Sequence, residues 1–129
     1  MLNLLVVEDH ALVREGLLAT LKKLGEDTRT FGVPDANEAI GVLEKQDIDM
    51  MILDLMLPGT RGQTFLPVVR RRFPTVPVVV LSALDDADTV SRVMKAGASG
   101  FVSKAGSSTE LLEALRAVLA GEVYLPAKL

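Results

Sequence analysis

Short apolar runs alternate with amphipathic stretches five times along this chain, and that rhythm constrains its fold more than any other feature. The runs are Asn3–Val7, Asp27–Phe31, Met50–Leu53, Val78–Leu81 and Gly100–Val102. Each is too short for a helix and most are aliphatic or β-branched, as buried strands are. Asp27–Phe31 carries the weakest signal. Between the runs lie five helix patterns. The first places Val13, Leu17, Leu21 and Leu24 on one face and ends at Gly25. The second opens with Pro34-Asp35-Ala36-Asn37-Glu38, an N-cap acid followed three residues later by Glu, and continues through Ile40 and Leu43. The third runs from about Gln63 to Arg72 and is stopped by Pro74. The fourth opens at Asp85 or Asp86, carries Val90, Val93 and Met94, and ends at Gly97. The fifth opens at Ser107-Ser108-Thr109-Glu110, runs through Leu111, Leu112, Leu115, Val118 and Leu119, and closes at Gly121. Strands alternating with helices over short connections predict an α/β domain, its parallel strands joined by right-handed crossovers and its sheet covered on both faces. Double coverage explains why the third and fourth runs are apolar without alternation.

The totals narrow the function classes. With 129 residues the chain makes one domain with a single core. Its longest apolar run, Val76–Leu81, is interrupted by Pro77 and falls far short of the roughly 18 residues of a membrane span. Met1-Leu2-Asn3 lacks the basic region of a signal peptide. No cysteine is present, which excludes disulfide and thiol chemistry, and a single histidine, His10, argues against a zinc site. A net charge of −3 gives no overall attraction to nucleic acid or anionic lipid. The expectation is a cytoplasmic, single-domain protein spanning residues 1–121, with 122–129 as a tail or the start of a linker.

In open α/β sheets the site lies beyond the carboxyl ends of the strands. Read there, the first run ends in Glu8-Asp9, the third in Asp54, the fourth in Ser82 and the fifth in Ser103-Lys104. Taken singly, each has an ordinary reading: acids after a strand cap the next helix, a serine makes a turn, and a lysine is solvated. Together they are harder to dismiss. Two carboxylates ~5 Å apart at an effective dielectric of ~20 repel by roughly 3 kcal/mol before screening. A divalent cation and Lys104 would remove that repulsion, and an all-oxygen acidic set suits Mg²⁺. A carboxylate beside Mg²⁺ can attack phosphorus and become an aspartyl phosphate. Asp54 stands alone at mid-sheet and is the candidate nucleophile, while the adjacent Glu8 and Asp9 are candidate metal ligands. Ser82 and Lys104 are placed to serve the transferring oxygens.

The ordered set Glu8-Asp9, Asp54, Ser82 and Lys104 resembles the receiver domains of two-component response regulators. Val7-Glu8-Asp9-His10, Asp54-Leu55-Met56-Leu57-Pro58-Gly59 with Gly62, and Ala96-Gly97-Ala98-Ser99-Gly100-Phe101 carry the same likeness. It covers residue 3 to about 121. The resemblance implies a flavodoxin-like (βα)5 fold with sheet order 2-1-3-4-5, and phosphorylation of Asp54 by a sensor histidine kinase. It implies Mg²⁺ held by Asp9, Asp54 and the backbone carbonyl of Met56, with Glu8 acting through water. Ser82 would be the switch hydroxyl, Phe101 the switch aromatic that turns inward, and Lys104 the phosphate-sensing cation. Such a domain is a phosphoacceptor that assists its own phosphorylation and dephosphorylation rather than an enzyme acting on an outside substrate. Val13-Arg14-Glu15-Gly16-Leu17 and Gly121-Glu122-Val123-Tyr124-Leu125-Pro126 are similar to the subfamily with a C-terminal helix-turn-helix domain. That domain is absent from these residues, so DNA would be reached only through it; a homodimer is a further implied partner, and a membrane is not. Three positions depart from the common pattern. Glu8 sits where Asp is also common, Ser82 replaces a frequent Thr, and Ala105 follows Lys104 where Pro is frequent. A cis bond before Ala105 would store about 3 kcal/mol.

Two other readings differ in class. A haloacid-dehalogenase-type phosphatase also uses a strand-end Asp with Mg²⁺, but needs a second acid two residues on, where this chain has Met56. A degenerate receiver serving only as an interaction module would lack the acceptor or the acid pair, and both are present. Nucleotide or flavin binding is disfavoured because no glycine-rich loop follows the first run.

Overall fold

The computed structural model describes residues 1–57 and 62–126. The apolar runs form strands β1 (Leu2–Val7), β2 (Thr28–Val33), β3 (Met50–Asp54), β4 (Val78–Ser82) and β5 (Gly100–Ser103). The periodic stretches form helices α1 (Ala11–Leu21), α2 (Ala36–Lys45), α3 (Gly62–Arg72), α4 (Ala87–Lys95) and α5 (Ser108–Leu119). All strand pairs are parallel, in the order β2-β1-β3-β4-β5. The flavodoxin-like expectation therefore holds. Pro58 and Gly59 of the third-strand motif lie outside the described residues.

The core explains why the strands are apolar throughout. Alternate residues point to opposite faces of a strand, and here each face meets its own helices. Leu5, Val7, Met51, Leu53, Val78, Val80 and Phe101 pack with Ala39 and Leu43 of α2, Phe65, Leu66 and Val69 of α3, and Val90 and Val93 of α4. Leu4, Val6, Met50, Ile52, Val79, Leu81 and Val102 pack with Leu21 of α1 and Leu111, Ala114, Leu115 and Val118 of α5. Truncating a fully buried leucine such as Leu5 or Leu53 to alanine would cost ~2–5 kcal/mol.

Three caps match the sequence signals. Asp35 accepts from the Glu38 amide at 2.9 Å, Asp86 from the Thr89 amide at 3.1 Å, and Ser107 from the Glu110 amide at 3.1 Å. Asp86 rather than Asp85 thus starts α4. The first helix stops at Leu21 instead of Leu24, because its last turn tightens into a 3₁₀ turn over Lys22–Leu24. The second strand begins one residue later than its pattern suggests and runs on to Val33. A glycine permits that extension: a Cβ at Gly32 would lie 2.8 Å from Leu18 Cδ1 of α1. Gly97, at φ 113°, ends α4 in the left-handed region where glycine is favoured. The segment after α5 returns to the sheet. Tyr124 donates its amide to the Ser99 carbonyl at 3.0 Å and accepts from the Phe101 amide at 3.1 Å, on the outer edge of β5. The described residues contain no helix long and apolar enough to cross a membrane, and no cis peptide bond, so the Lys104–Ala105 bond is trans.

Candidate functional site

Strand register brings the polar residues together. β1, β3, β4 and β5 end level with one another: Val7 lies beside Leu53, Asp54 beside Leu81, and Ser82 beside Ser103. Backbone bonds just past the strands fix the loops, from Glu8 to Val33 at 3.0 Å, Leu55 to Leu81 at 3.3 Å and Lys104 to Ser82 at 2.9 Å. Arg14 of α1 adds a clamp, donating from Nη1 to the Glu8 carbonyl at 2.7 Å.

Asp54 is 3 % exposed and Glu8 only 1 %. Lys104 Nζ stands between them, 3.4 Å from Asp54 Oδ2 and 3.5 Å from Glu8 Oε1. Burial pushes the Glu8 carboxyl up to about 7, helped by the facing Asp54. Asp54 is raised by burial but lowered more by Glu8, the Met56 amide and Lys104, and ends below its ordinary value. Without a cation, then, the proton the two acids compete for sits on Glu8 and the charge on Asp54. The Met56 amide donates to Asp54 Oδ1 at 3.1 Å. Ser82 is wholly buried, and its Oγ accepts from the Leu84 amide at 3.0 Å. That leaves its hydroxyl proton free for another acceptor.

Asp9 lies beside Glu8 at the mouth of the site. Glu8 Oε2 and Asp9 Oδ1 are buried with no hydrogen-bond partner among the described residues. Two buried, unpartnered carboxylate oxygens beside a third carboxylate are what a hard divalent cation satisfies, and these residues fit Mg²⁺ on that ground. Phe101 is wholly buried among the α2–α4 side of the core. The ring expected to turn inward is already inside in this unmodified chain.

Three neighbours were not singled out as site residues by the sequence. His10 places Nδ1 3.2 Å from Glu8 Oε1. Ser103 donates to Asp85 Oδ2 at 2.9 Å and accepts from the Ala105 amide at 3.1 Å, tying the loops after β4 and β5 together. Arg14 grips β1 from α1. Ser103 acts through a contact between loops 18 residues apart and Arg14 through a helix side chain reaching back to the Glu8 carbonyl, for neither of which a local pattern exists, and His10 was visible only as part of the first-strand motif.

The family model for the response regulator receiver domain matches residues 4–116. The chain belongs to that family. Among curated relatives, the receiver is 32% identical over 127 residues to the glycerol metabolism activator of Pseudomonas putida, covering 98% of this chain and 58% of that protein. It is 31% identical over 126 residues to the response regulator GacA of Pseudomonas aeruginosa, covering 97% of this chain and 58% of that one. This receiver thus spans less than two thirds of the length of either relative. Among solved structures it superposes on a LuxR family DNA-binding response regulator from Silicibacter pomeroyi with a TM-score of 0.89 at 26% identity, covering 100% of both chains. It also superposes on the isolated receiver domain of RcsB from Salmonella enterica serovar Typhimurium, determined with the phosphomimetic BeF₃⁻, with a TM-score of 0.88 at 28% identity, over 98% of this chain and 94% of that one. Receiver domains typically bind Mg²⁺ at an acidic cluster, and Glu8 and Asp9 form such a cluster here.

Proposed function

We propose that this receiver is a phosphorylation-dependent switch whose acceptor is Asp54. The observation that carries the reading is the buried Asp54 carboxylate, kept ionised at the sheet's carboxyl edge with Lys104 Nζ at 3.4 Å. An ionised carboxylate is the nucleophilic form. A sensor histidine kinase is the proposed donor. One Asp54 oxygen forms the new O–P bond as the donor's N–P bond breaks, the electron pair staying on the departing imidazole nitrogen, which solvent then protonates. Asp9, Asp54 and the Met56 carbonyl would hold Mg²⁺, with Glu8 acting through water. When bound, the ion neutralises charge on the transferring oxygens. Lys104 pairs with the phosphoryl group, and the Ser82 hydroxyl donates its free proton to it. Because water can replace the donor's nitrogen in the reverse sense, the same residues assist dephosphorylation.

The rim also suits a partner. Leu12 and Val13 at the start of α1, Met56 after β3 and Leu84 after β4 are exposed large apolar side chains on the loops and helix start around the acids. Apolar side chains around a charged centre are what a docking protein covers. The relay to other partners starts at Ser82. Drawing its hydroxyl toward a phosphoryl oxygen breaks the bond from Leu84 and moves the approach to α4. Since Phe101 is already inside, the phosphoryl group would hold that position rather than create it. In a longer protein this surface would control a DNA-binding output, and self-association through it is the matching proposal for the receiver alone.

The reading is tested with Mg²⁺ and a small phosphodonor followed by intact mass. The receiver should gain about one phosphate, and the gain should vanish in Asp54→Asn or with chelator. Labelling that persists in Asp54→Asn places the acceptor elsewhere.

A further inference from the structure

We propose that Ser103 is a positioning residue for the phosphoryl group: set by the Ala105 amide and bonded to the Asp85 carboxylate, it latches the loop before α4 to the turn after β5. The latch serves the acceptor assigned above and so rests on that reading of Asp54, but it concerns how long the phosphoryl group lasts there, not where it attaches.

Two neighbouring segments carry the groups assigned to the phosphoryl oxygens. Ser82 closes β4 and leads into the loop before α4, and Lys104 follows β5 in the turn before α5. Their backbones meet at the strand ends, where the Lys104 amide donates to the Ser82 carbonyl at 2.9 Å. Further out, the loop before α4 is tied to itself by the Leu84 amide on Ser82 Oγ at 3.0 Å. It is tied across to β5 by Ser103 Oγ, which donates to Asp85 Oδ2 at 2.9 Å. These ties are not equivalent. A Ser82 hydroxyl drawn to a phosphoryl oxygen gives up Leu84, whereas the bond from Ser103 makes no use of Ser82 and outlasts that change. It then limits how far the loop can travel. Asp85 stays at β5, and the next residue, Asp86, holds the start of α4 through the Thr89 amide at 3.1 Å and hydroxyl at 2.7 Å.

The serine is aimed by its own turn. Ser103 Oγ accepts from the Ala105 amide at 3.1 Å, which leaves its single proton for Asp85. The Ser103 carbonyl accepts from the Gly106 amide at 3.0 Å and closes the turn that carries Lys104. Proline has no amide hydrogen. A chain with Pro after its lysine could not set the serine in this way, so the departure at Ala105 is what makes the latch available here.

The consequence falls on hydrolysis. Water forms a bond to phosphorus as the bond from phosphorus to the Asp54 oxygen breaks, the electron pair returns to the carboxylate, and the water's proton passes to solvent. With the latch closed, the loop that follows Ser82 stays at the carboxyl edge and keeps Ser82 on the phosphoryl group. With it open, the loop swings away more often and water gains access. Asp85 is exposed and Ser103 half-buried, and a hydrogen bond in such a place biases a two-state segment by a factor of about 2 to 10. An effect of that size sets a lifetime without deciding the fold.

The test follows decay after loading with acetyl phosphate and Mg²⁺, donor removed, by intact mass. Ser103→Ala and Asp85→Ala should each take up as much phosphate as wild type and lose it about 2- to 10-fold faster. The double variant should decay no faster than either single one, because all three lack the same bond. Ser103→Thr keeps the hydroxyl and should restore the wild-type rate. Decay that is unchanged or slower in the single variants, or effects that multiply in the double variant, overturn the latch. A second arm needs no phosphate. In the unmodified protein the Leu84 amide should exchange with solvent about 2- to 10-fold faster in Asp85→Ala than in wild type, since the loop opens more often. If wild type takes up no phosphate, the acceptor reading falls and exchange at Leu84 judges the latch alone; an unchanged rate there overturns it.

Discussion

The two ends of the one sheet use polar groups in opposite ways. At the amino end Asn3 stitches β1 to the approach to β3. Its amide donates to Asp49 Oδ2 at 2.8 Å, its Nδ2 to the Asp47 carbonyl at 2.9 Å, and its carbonyl accepts from the Asp49 amide at 2.8 Å. At the carboxyl end Glu8 and Asp54 both meet Lys104, and Asp9 lies beside Glu8. Each end leaves two buried oxygens without a partner among the described residues: Asn3 Oδ1 and Thr28 Oγ1 at one, Glu8 Oε2 and Asp9 Oδ1 at the other. The number is equal and the chemistry is not: one pair belongs to an amide and a hydroxyl, the other to two acids beside Asp54. An unpaired neutral oxygen costs about 1–3 kcal/mol, whereas a buried carboxylate costs several unless a cation meets it. The amino end is therefore finished as it stands, and the carboxyl end is held in a state that a ligand relieves.

The largest effect expected from that contrast is complete loss of phosphate uptake in Asp54→Asn, set against unchanged uptake in Asn3→Ala. Equal impairment of both, read by intact mass, would mean that uptake follows general stability and not the rim. Next in size is Mg²⁺ affinity. Asp9→Ala should weaken it by much more than Glu8→Ala, whose loss as an outer-shell partner should cost about 10-fold, because only Asp9 is assigned direct contact. Similar losses in a titration would show that the two acids share the ion.

A smaller effect is the pH response of the carboxyl end. The Glu8 carboxyl rises from 4.5 to about 7 on folding, so the folded protein binds that proton more tightly than the unfolded chain. Its contribution to metal-free stability is full below 4.5 and is lost as pH rises through about 7. Asp54, lowered from 3.8, titrates below this window. Thermal midpoints without Mg²⁺ should accordingly fall from pH 5 to pH 7.5, and Glu8→Gln should flatten the profile. Mg²⁺ affinity should run the other way, up to about tenfold stronger at pH 8 than at pH 6, with proton release seen in buffers of different ionisation enthalpy. A wild-type profile as flat as that of Glu8→Gln removes Glu8 as the titrating group. The smallest effect belongs to the amino end: Asn3→Ala should lose about 1–2 kcal/mol in denaturant unfolding, at any pH.

Much of this was legible before the fold. The alternation of Met50–Leu53 and Val78–Leu81 with periodic stretches specifies a doubly covered sheet, because strands buried on both faces need apolar residues at every position. Asp54 and Ser82 stood out because they break such runs at the end where α/β sheets carry their sites. The protonation of Glu8 was not legible, since it depends on how deeply β1 sinks beside β3. Nor was the resting place of Phe101: a β5 aromatic can face core or solvent, and here the packing with Val90 and Val93 of α4 decides. Arg70, the first of Arg70-Arg71-Arg72, donates to the Val76 carbonyl at 2.8 Å and lies under Gly97. A run of like charges does not reveal which member reaches a carbonyl six residues on.

The backbone bonds of Tyr124 to Ser99 and Phe101 change how far anything beyond them can reach. A chain continuing past residue 126 would not swing from the end of α5. It would pivot from the edge of β5, its first three residues (122–124) already taken up, which removes about 10 Å of extended span. For two tethered modules the local concentration each presents to the other depends steeply on free tether length. Releasing one strand-edge bond therefore lengthens the leash as well as loosening it, and Phe101, which holds one of those bonds through its own amide, sits where a change in β5 would be felt as a change in reach.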